Sequence, residues 1–170
     1  MEEKINCLIH NRFDIVKRDV ITGEIKEKAE AYNLITNAGW NAIFNGQGTY
    51  WYCVSFGNGT AEPQVTDTTL TSRLGYKNGT NVVMDKSQIN TTGIIKKTFQ
   101  IRLEANEYVG STISEVGTGT DDTSTVFTKA LLKDQNGNPL SIVKTNLDII
   151  DIYATLLQTN LQQEGLGRLG

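Results

Sequence analysis

The side chains that could act as nucleophile, base or metal ligand are few in this chain and lie far apart. His10 is the one histidine in 170 residues, and the two cysteines are Cys7 and Cys53. A serine or cysteine nucleophile would need His10 as its base, and no catalytic signature surrounds that histidine. One histidine and two cysteines without paired spacing also do not make a metal site. We therefore predict no catalytic residues, no metal and no cofactor.

Acidic residues are plentiful, and two of them facing each other across a cleft would suit glycoside hydrolysis. The candidates are Glu104, Glu107, Glu115, Asp121, Asp122, Asp134, Asp148 and Asp151. Acids beside turns are also common on β domains that have no enzymatic activity. A polysaccharide-cleaving enzyme is therefore the third of three hypotheses, and we expect a protein that is not an enzyme.

Asp134, Asn136 and Asn138 superficially match a calcium-binding loop. Such a loop needs glycine at its sixth position and glutamate at its twelfth, whereas this chain has Gly137 at the fourth and Thr145 at the twelfth. Asn-Gly followed by Asn-Pro favours a tight reversal of the chain instead. We predict a hairpin turn over residues 133–139.

The most suggestive cluster is Tyr50, Trp51 and Tyr52. Alternation along a strand places the two tyrosines on one face and Trp51 on the other. Aromatic faces stack on sugar rings and also anchor protein interfaces. We favour a buried Trp51 with the tyrosines half-buried at a subunit contact, and keep a glycan-stacking platform as the alternative.

Composition indicates one β domain over residues 1–160, followed by a glycine-spaced tail over 161–170. Threonine is the commonest residue and proline is scarce, which favours strands joined by turns. The net charge of −3 argues against a nucleic-acid partner, which needs clustered cations. No apolar run approaches the roughly 20 residues that span a bilayer, and no secretory signal precedes residue 10. We expect no membrane partner and synthesis in the cytosol.

Residue patterns predict strands joined by polar loops. The expected strands are residues 13–18, 24–32, 49–56, 82–89, 94–104, 111–116, 126–132 and 148–157, with loops at 57–71 and 117–124. The lysines and glutamates of residues 24–32 favour a helix there, whereas the turn that precedes them favours a strand, which is the assignment we prefer. Apolar residues on both sides of 148–157 indicate a strand covered on both faces.

One short α-helix is expected near residues 36–44. Thr36 or Asn37 can cap it, and Asn45-Gly46 can end it. Trp40, Ile43 and Phe44 follow helical spacing, so we predict that they face the sheet. The predicted fold class is all-β, an antiparallel β-sandwich with this one helix.

Several segments together resemble a family of small structural proteins and tail-associated modules of bacteriophages. They are YNLITNAGWNAI (32–43), VSFGNGT (54–60), EANEYVGSTISEVG (104–117), ALLKDQNGNPLSIVKT (130–145) and DIIDIYAT (148–155). In similar proteins the helix follows an N-terminal hairpin, the Asn-Gly-Thr segment leads into a variable loop, and the remaining strands close a β-sandwich. The resemblance implies a virion component built in several copies, without known catalytic residues.

The first hypothesis is a non-enzymatic structural subunit of a bacteriophage or phage-like particle, associated with the tail, baseplate or neck and acting through symmetric protein-protein contacts. Its partners would be other virion proteins and copies of itself, and its location the virion, after synthesis in the host bacterial cytoplasm. Leu161, Leu166 and Leu169 form a candidate assembly tail that becomes ordered against a neighbouring subunit. The alternatives are a tail-fibre module that binds a host-surface glycan and a capsid decoration protein.

Overall fold

A computed structural model of the chain describes residues 7–46, 51–85, 94–120 and 124–160. In these residues the chain forms strands and one short helix. The elements are β1 (Cys7–Asp19), β2 (Ile25–Tyr32), β3 (Leu34–Ile35), α1 (Asn37–Phe44), β4 (Cys53–Gly57), β5 (Arg73–Asn78), β6 (Thr80–Asp85), β7 (Ile94–Leu103), β8 (Thr112–Ile113), β9 (Glu115–Gly119), β10 (Thr128–Leu131), β11 (Ile142–Val143) and β12 (Asp148–Asn160). The predicted all-β class and the strand over residues 24–32 are confirmed.

Two five-stranded antiparallel sheets make up the body of the molecule. The first has the order β2-β1-β12-β7-β6, and the second has the order β3-β10-β9-β4-β5; β8 and β11 form a small third sheet. In the first sheet, β1 and β12 pair along their whole length, from Cys7 opposite Asn160 to Asp19 opposite Asp148. The predicted turn after β10 is also confirmed, since Lys133 bridges Pro139 and Gly137 has a φ of 80°.

Side chains from both sheets meet in one main core, which gives the sandwich arrangement. Alternate residues of each strand point inward because successive side chains of a strand lie on opposite faces. The first sheet contributes Phe13, Ile15, Phe99, Ile101, Leu103, Ile150 and Ile152, and the second contributes Val54, Phe56, Val116 and Ala130. This burial of alternate residues confirms the predicted antiparallel β-sandwich.

A second, smaller core lies beneath α1 and contains Ile35, Ala42, Trp51, Phe127 and Leu156. The helix begins as predicted, because the Thr36 hydroxyl accepts a hydrogen bond from the Gly39 amide at 3.2 Å and donates one to the carbonyl of Val126 at 2.8 Å.

The predicted packing face of α1 is wrong for Trp40 and Phe44, whereas Ile43 is partly buried against the small core as predicted. Trp40 and Phe44 are 39% and 81% exposed, while Gly39 and Ala42 are buried. A Cβ atom at residue 39 would clash with the carbonyl oxygen of Phe127. The helix therefore packs closely through its small residues, and the two large aromatic side chains are left outside.

The predicted loop over 117–124 is wrong at its start, because β9 extends to Gly119 and is buried throughout. Glycine disfavours strands in general, but a Cβ at Gly117 would lie 2.7 Å from the carbonyl oxygen of Thr128. Glycine is used here for close packing. Strand β5 was not predicted, and it is an edge strand of mostly half-exposed residues.

The prediction that the last strand is covered on both faces is also wrong. Ile150, Ile152, Ala154 and Leu156 of β12 are buried, but on the opposite face Ile149, Tyr153, Thr155 and Leu157 are only half-buried. Asp151 is the fully buried residue of that outer face. The outer face of the first sheet is a partly polar surface of the molecule.

Candidate functional site

Two residues of the predicted aromatic cluster, Trp51 and Tyr52, lie within the described part of the chain. Trp51 is 1% exposed and lies edge-on to Phe127 with ring centroids 5.5 Å apart, so its predicted core position is confirmed. Tyr52 is half-buried against the main core, and its carbonyl accepts a hydrogen bond from the Gly79 amide at 2.6 Å. Tyr50 lies outside the described residues, as do Leu161, Leu166 and Leu169 of the predicted tail. A subunit-contact role for the tyrosines stays a prediction.

The residues that could do nucleophilic chemistry are not brought together. His10 is exposed on the outer face of the first sheet, whereas Cys53 is buried in β4 of the second sheet. Among the described residues, no group of three histidine, cysteine or acidic side chains is placed to hold a metal ion. The turn acid Asp134 accepts hydrogen bonds from the amides of Asn136 and Asn138 at 2.8 and 2.9 Å, as a hairpin requires.

Asp148 is the acid most strongly affected by its surroundings. It is almost fully buried at the start of β12. It accepts hydrogen bonds from Lys26 Nζ at 2.6 Å and from the hydroxyl and amide of Thr145 at 2.7 and 2.9 Å. Burial alone would raise its pKa, but the hydrogen bonds from Lys26 and Thr145 outweigh burial and lower the pKa of Asp148 to about 2.

The neighbouring Lys144 fastens two loops at the same end of the molecule. Its side chain is fully buried, and its Nζ donates to the carbonyl oxygens of Ala105 and Thr145 at 3.0 and 2.7 Å. Burial lowers the pKa of this lysine. Together, Lys144 and Asp148 fix the loops 104–111 and 144–147 against the first sheet.

Asp151 lies on the other face of β12 and is neutralised by a two-pronged ion pair. Arg102 Nε and a terminal guanidinium nitrogen of Arg102 lie 2.7 and 3.0 Å from the two carboxylate oxygens of Asp151. Gln100 donates a further hydrogen bond at 3.2 Å. This geometry links β7 to β12 across the sheet, and it raises the pKa of Arg102 through the hydrogen bond with Asp151.

Glu115 is a fully buried carboxylate held by backbone amides of the loop between β4 and β5. Its Oε1 accepts from the amides of Gly59 and Ser72 at 3.0 and 2.7 Å, and its Oε2 accepts from Thr71 at 3.0 Å. A Cβ at Gly57 or Gly59 would collide with this carboxylate. The two glycines therefore make room for Glu115, and their spacing is a sequence signal that could have indicated the close approach.

Exposed apolar side chains are placed at both ends of the paired strands β1 and β12. The first group, called the helix end, is Trp40, Phe44 and Val65; the Val65 carbonyl accepts from the Asn37 amide at 2.8 Å. The second group, called the loop end, is Ile21, Val109, Val143 and Leu147. Backbone hydrogen bonds join its loops, from Val20 to Leu147 at 2.9 Å and from Gly110 to Lys144 at 2.8 Å.

A groove also runs past the end of β2, where sequence reasoning placed no site. Tyr32, the last residue of β2, is 70% exposed and lines two depressions of about 330 and 220 Å³. Arg12 lies over its ring, 5.5 Å from the ring centroid. No pattern in the sequence marks this tyrosine, because its partners come from other strands.

Comparison of the chain with protein-family models, with curated proteins and with solved structures finds no match. Within the described residues, no helix has the length and apolar character needed to cross a membrane.

Replacing Asp148 with asparagine should reduce the free energy of unfolding at pH 6 by about 2 kcal/mol, the equivalent of its pKa shift. The folded-state pKa is depressed, so this stabilisation is present above pH 4 and is lost as the pH falls towards 2. Urea unfolding of both proteins between pH 2 and pH 6 measures the difference. Glu24→Gln, which removes an exposed acid near the same end, should give a small difference that varies little with pH.

Replacing Glu115 with glutamine should expose the loop over residues 58–72 to exchange with solvent. The new amide nitrogen would face the N–H of Thr71 or of Gly59 and Ser72, so a buried donor loses its acceptor at a loss of about 2 kcal/mol. Hydrogen exchange at Gly59, Thr71 and Ser72 should become faster, and Glu62→Gln in the same loop should leave it unchanged. Equal exchange rates in the Glu115→Gln variant and the parent would refute the role of this carboxylate.

Proposed function

We propose that the chain is a non-enzymatic structural subunit of a bacteriophage or phage-like particle, associated with its tail, baseplate or neck. We propose further that copies of it associate end to end, with the helix end of one copy against the loop end of the next. The observation that carries this proposal is the exposure of large apolar side chains at both ends of the same strand pair. Exposed apolar groups of this kind mark interaction surfaces when they cluster.

The helix end is suited to docking because its aromatic side chains are held on a firmly seated helix. Trp40 and Phe44 stack with ring centroids 6.3 Å apart and an interplanar angle of 30°. The Thr36 cap and the close approach of Gly39 to Phe127 fix the helix below them. A rigid aromatic pair loses little side-chain entropy on binding, and tryptophan is prominent among the residues that dominate binding energy.

The loop end offers a complementary aliphatic surface that is also held in place. Leu147 and Val109 are carried by the loops that Lys144 and Asp148 fasten. Leu147 is 53% exposed and Ile21 is 85% exposed. Burying such side chains against the aromatic pair of another copy would remove apolar area from water at both surfaces.

The placement of these two groups at opposite ends of the strand pair suits a head-to-tail contact. Ile9 packs against the small core beneath α1, and Asp19 lies next to the loop end. About 33 Å of extended strand separates these two residues of β1. When two different surfaces bind each other the contact is heterologous, and repeated heterologous contacts build closed rings or open stacks. Tails, baseplates and necks are ring-like or stacked parts, so this geometry agrees with the resemblance of the sequence to phage structural proteins.

The partners that follow from this proposal are copies of the chain and other virion proteins, and the location is the virion. No nucleic acid or membrane takes part in the proposed contact. A capsid decoration protein remains the alternative assembly role, since it would use the same kind of apolar contact.

The head-to-tail contact is tested by complementation between two variants. Phe44→Ser disables the helix end and Leu147→Ser disables the loop end, so each variant alone should sediment mainly as a monomer at concentrations where the parent self-associates. Mixed together, they should form a dimer and nothing larger, because each supplies one intact end. Analytical ultracentrifugation measures these species.

Tyr76→Ser, a substitution of a partly exposed aromatic residue on the edge strand β5, should associate like the parent protein. A mixture of the two end variants that stays monomeric, or a parent protein that is monomeric at every concentration, would overturn the end-to-end contact.

The virion role is tested in purified particles produced by cells that express the chain. Peptides of this protein should be present in multiple copies per particle, as quantified by mass spectrometry, and Phe44→Ser should reduce the fraction of complete particles. Particles that assemble fully without any copy of the chain would refute the structural role.

A further inference from the structure

We infer that the groove past Tyr32 is a binding site for an oligosaccharide, with the tyrosine ring as its stacking platform. The inference is independent of the end-to-end contact, because Tyr32 belongs to neither the helix end nor the loop end. It differs from the sequence-based alternative of a stacking platform at Tyr50 and Tyr52; of these two, Tyr52 is half-buried against the main core.

Tyr32 stands at the crossover of the chain between the two sheets. It ends β2, an edge strand of the first sheet, and β3 of the second sheet begins two residues later. Its backbone is fixed by pairing with Arg12 of β1, and the next residue, Asn33, donates its amide to the carbonyl of Asn11 at 3.0 Å. The ring is therefore exposed on a backbone that is rigid on both sides.

The orientation of the ring is set by an ion-pair network. The Arg12 guanidinium lies 5.5 Å from the ring centroid, and one of its nitrogens donates to the Tyr32 hydroxyl at 3.4 Å. Arg12 is held in turn by Asp14 at 2.8 Å and by Glu30 at 3.3 Å. A ring that is ordered before binding loses less side-chain entropy when a ligand stacks on it, so the ligand binds more tightly.

Depressions on two sides of this ring have the size and chemistry of sugar subsites. Their volumes of about 330 and 220 Å³ lie near the lower limit for small-molecule sites, roughly 300 Å³. Besides Tyr32, the first is lined by His10, Arg12, Asp14, Lys96, Thr155 and Leu157. The second is lined by Leu34, Glu62, Pro63, Lys129, Ala130, Leu131 and Lys133.

The mixture of donors and acceptors favours sugar hydroxyls over other ligands. Each hydroxyl both donates and accepts hydrogen bonds, and each depression offers carboxylate acceptors, Asp14 or Glu62, beside ammonium donors, Lys96 or Lys133. A phosphate site would present donors alone, and a nucleic-acid track would need clustered cations without carboxylates among them. Arg12 is paired with Asp14 and Glu30, and Lys129 is paired with Asp67 at 3.1 Å.

The apolar face of a pyranose ring would lie against the tyrosine ring, whose face is electron-rich. Leu157 in one depression and Pro63 in the other give further apolar contact for neighbouring rings. The site therefore fits a linear oligosaccharide of at least two pyranose units that passes over Tyr32.

The experiment probes the full chain with a printed array of oligosaccharides from bacterial capsules, O-antigens and peptidoglycan, followed by calorimetric titration of the strongest ligand. Tyr32→Ala should raise the dissociation constant about tenfold or more, the loss expected for one stacking contact. Tyr32→Phe, which keeps the ring, should bind within about threefold of the parent.

The matched control is Tyr76→Ala. Tyr76 also lies beneath an arginine, with Arg73 at 4.7 Å from its ring centroid, but it does not line either depression. The Tyr76→Ala variant should bind the oligosaccharide with the affinity of the parent protein. The Tyr32→Ala variant should self-associate to the same extent as the parent protein.

Absence of binding to every printed glycan, or equal weakening by Tyr32→Ala and Tyr76→Ala, would overturn the assignment. Both results would leave the complementation between the two end variants unaffected, so a failure of this site is distinguishable from a failure of the proposed assembly role.

Discussion

The pairing of β1 with β12 is the constraint on which the other features of the molecule depend. These strands join the beginning and the end of the described chain over 13 residues each. Strand β2 joins the first sheet through β1, while β7 and β6 join it through β12. The inward residues of the pair, such as Phe13 and Ile152, form one side of the main core. The same pair sets the distance between the helix end and the loop end.

Buried charges in this protein serve to connect segments that are distant in sequence. Asp151 joins β12 to β7 through Arg102, Asp148 joins β12 to β2 through Lys26, and Glu115 joins β9 to the loop after β4. A buried carboxylate is strongly destabilising without partners. Each of these carboxylates accepts hydrogen bonds from several donors. Hydrogen bonds are directional, whereas apolar contacts are not, so the buried charges fix how the segments are placed relative to one another.

The surfaces left over by this internal pairing fall into two kinds. Apolar side chains are exposed at the two ends of the strands, while the crossover at Tyr32 borders two depressions lined largely by polar residues. The first kind suits contact between copies of the protein, and the second suits a small polar ligand. The residues of the helix end and the loop end are different from those that line the depressions beside Tyr32.

What the sequence determined by itself is local. Alternation of apolar residues in β7 and β12, the Thr36 cap and the Asn-Gly-Asn-Pro turn all depend on neighbours within a few residues, and each was predictable. The burial of Trp51 was also predicted, from alternation in a strand expected over residues 49–56, although β4 begins only at Cys53.

What only the tertiary structure decided is where segments distant in sequence approach one another. The exposed face of α1 depends on the closeness of Gly39 to Phe127, and the burial of β9 depends on two glycines that face Thr125 and Thr128. The role of Glu115 depends on amides 43 to 56 residues away. The Tyr32 groove likewise combines residues from β1, β2, β7, β10 and β12. Periodicity reports which side of an element is apolar, but the approach of one backbone to another is fixed by packing of the whole chain.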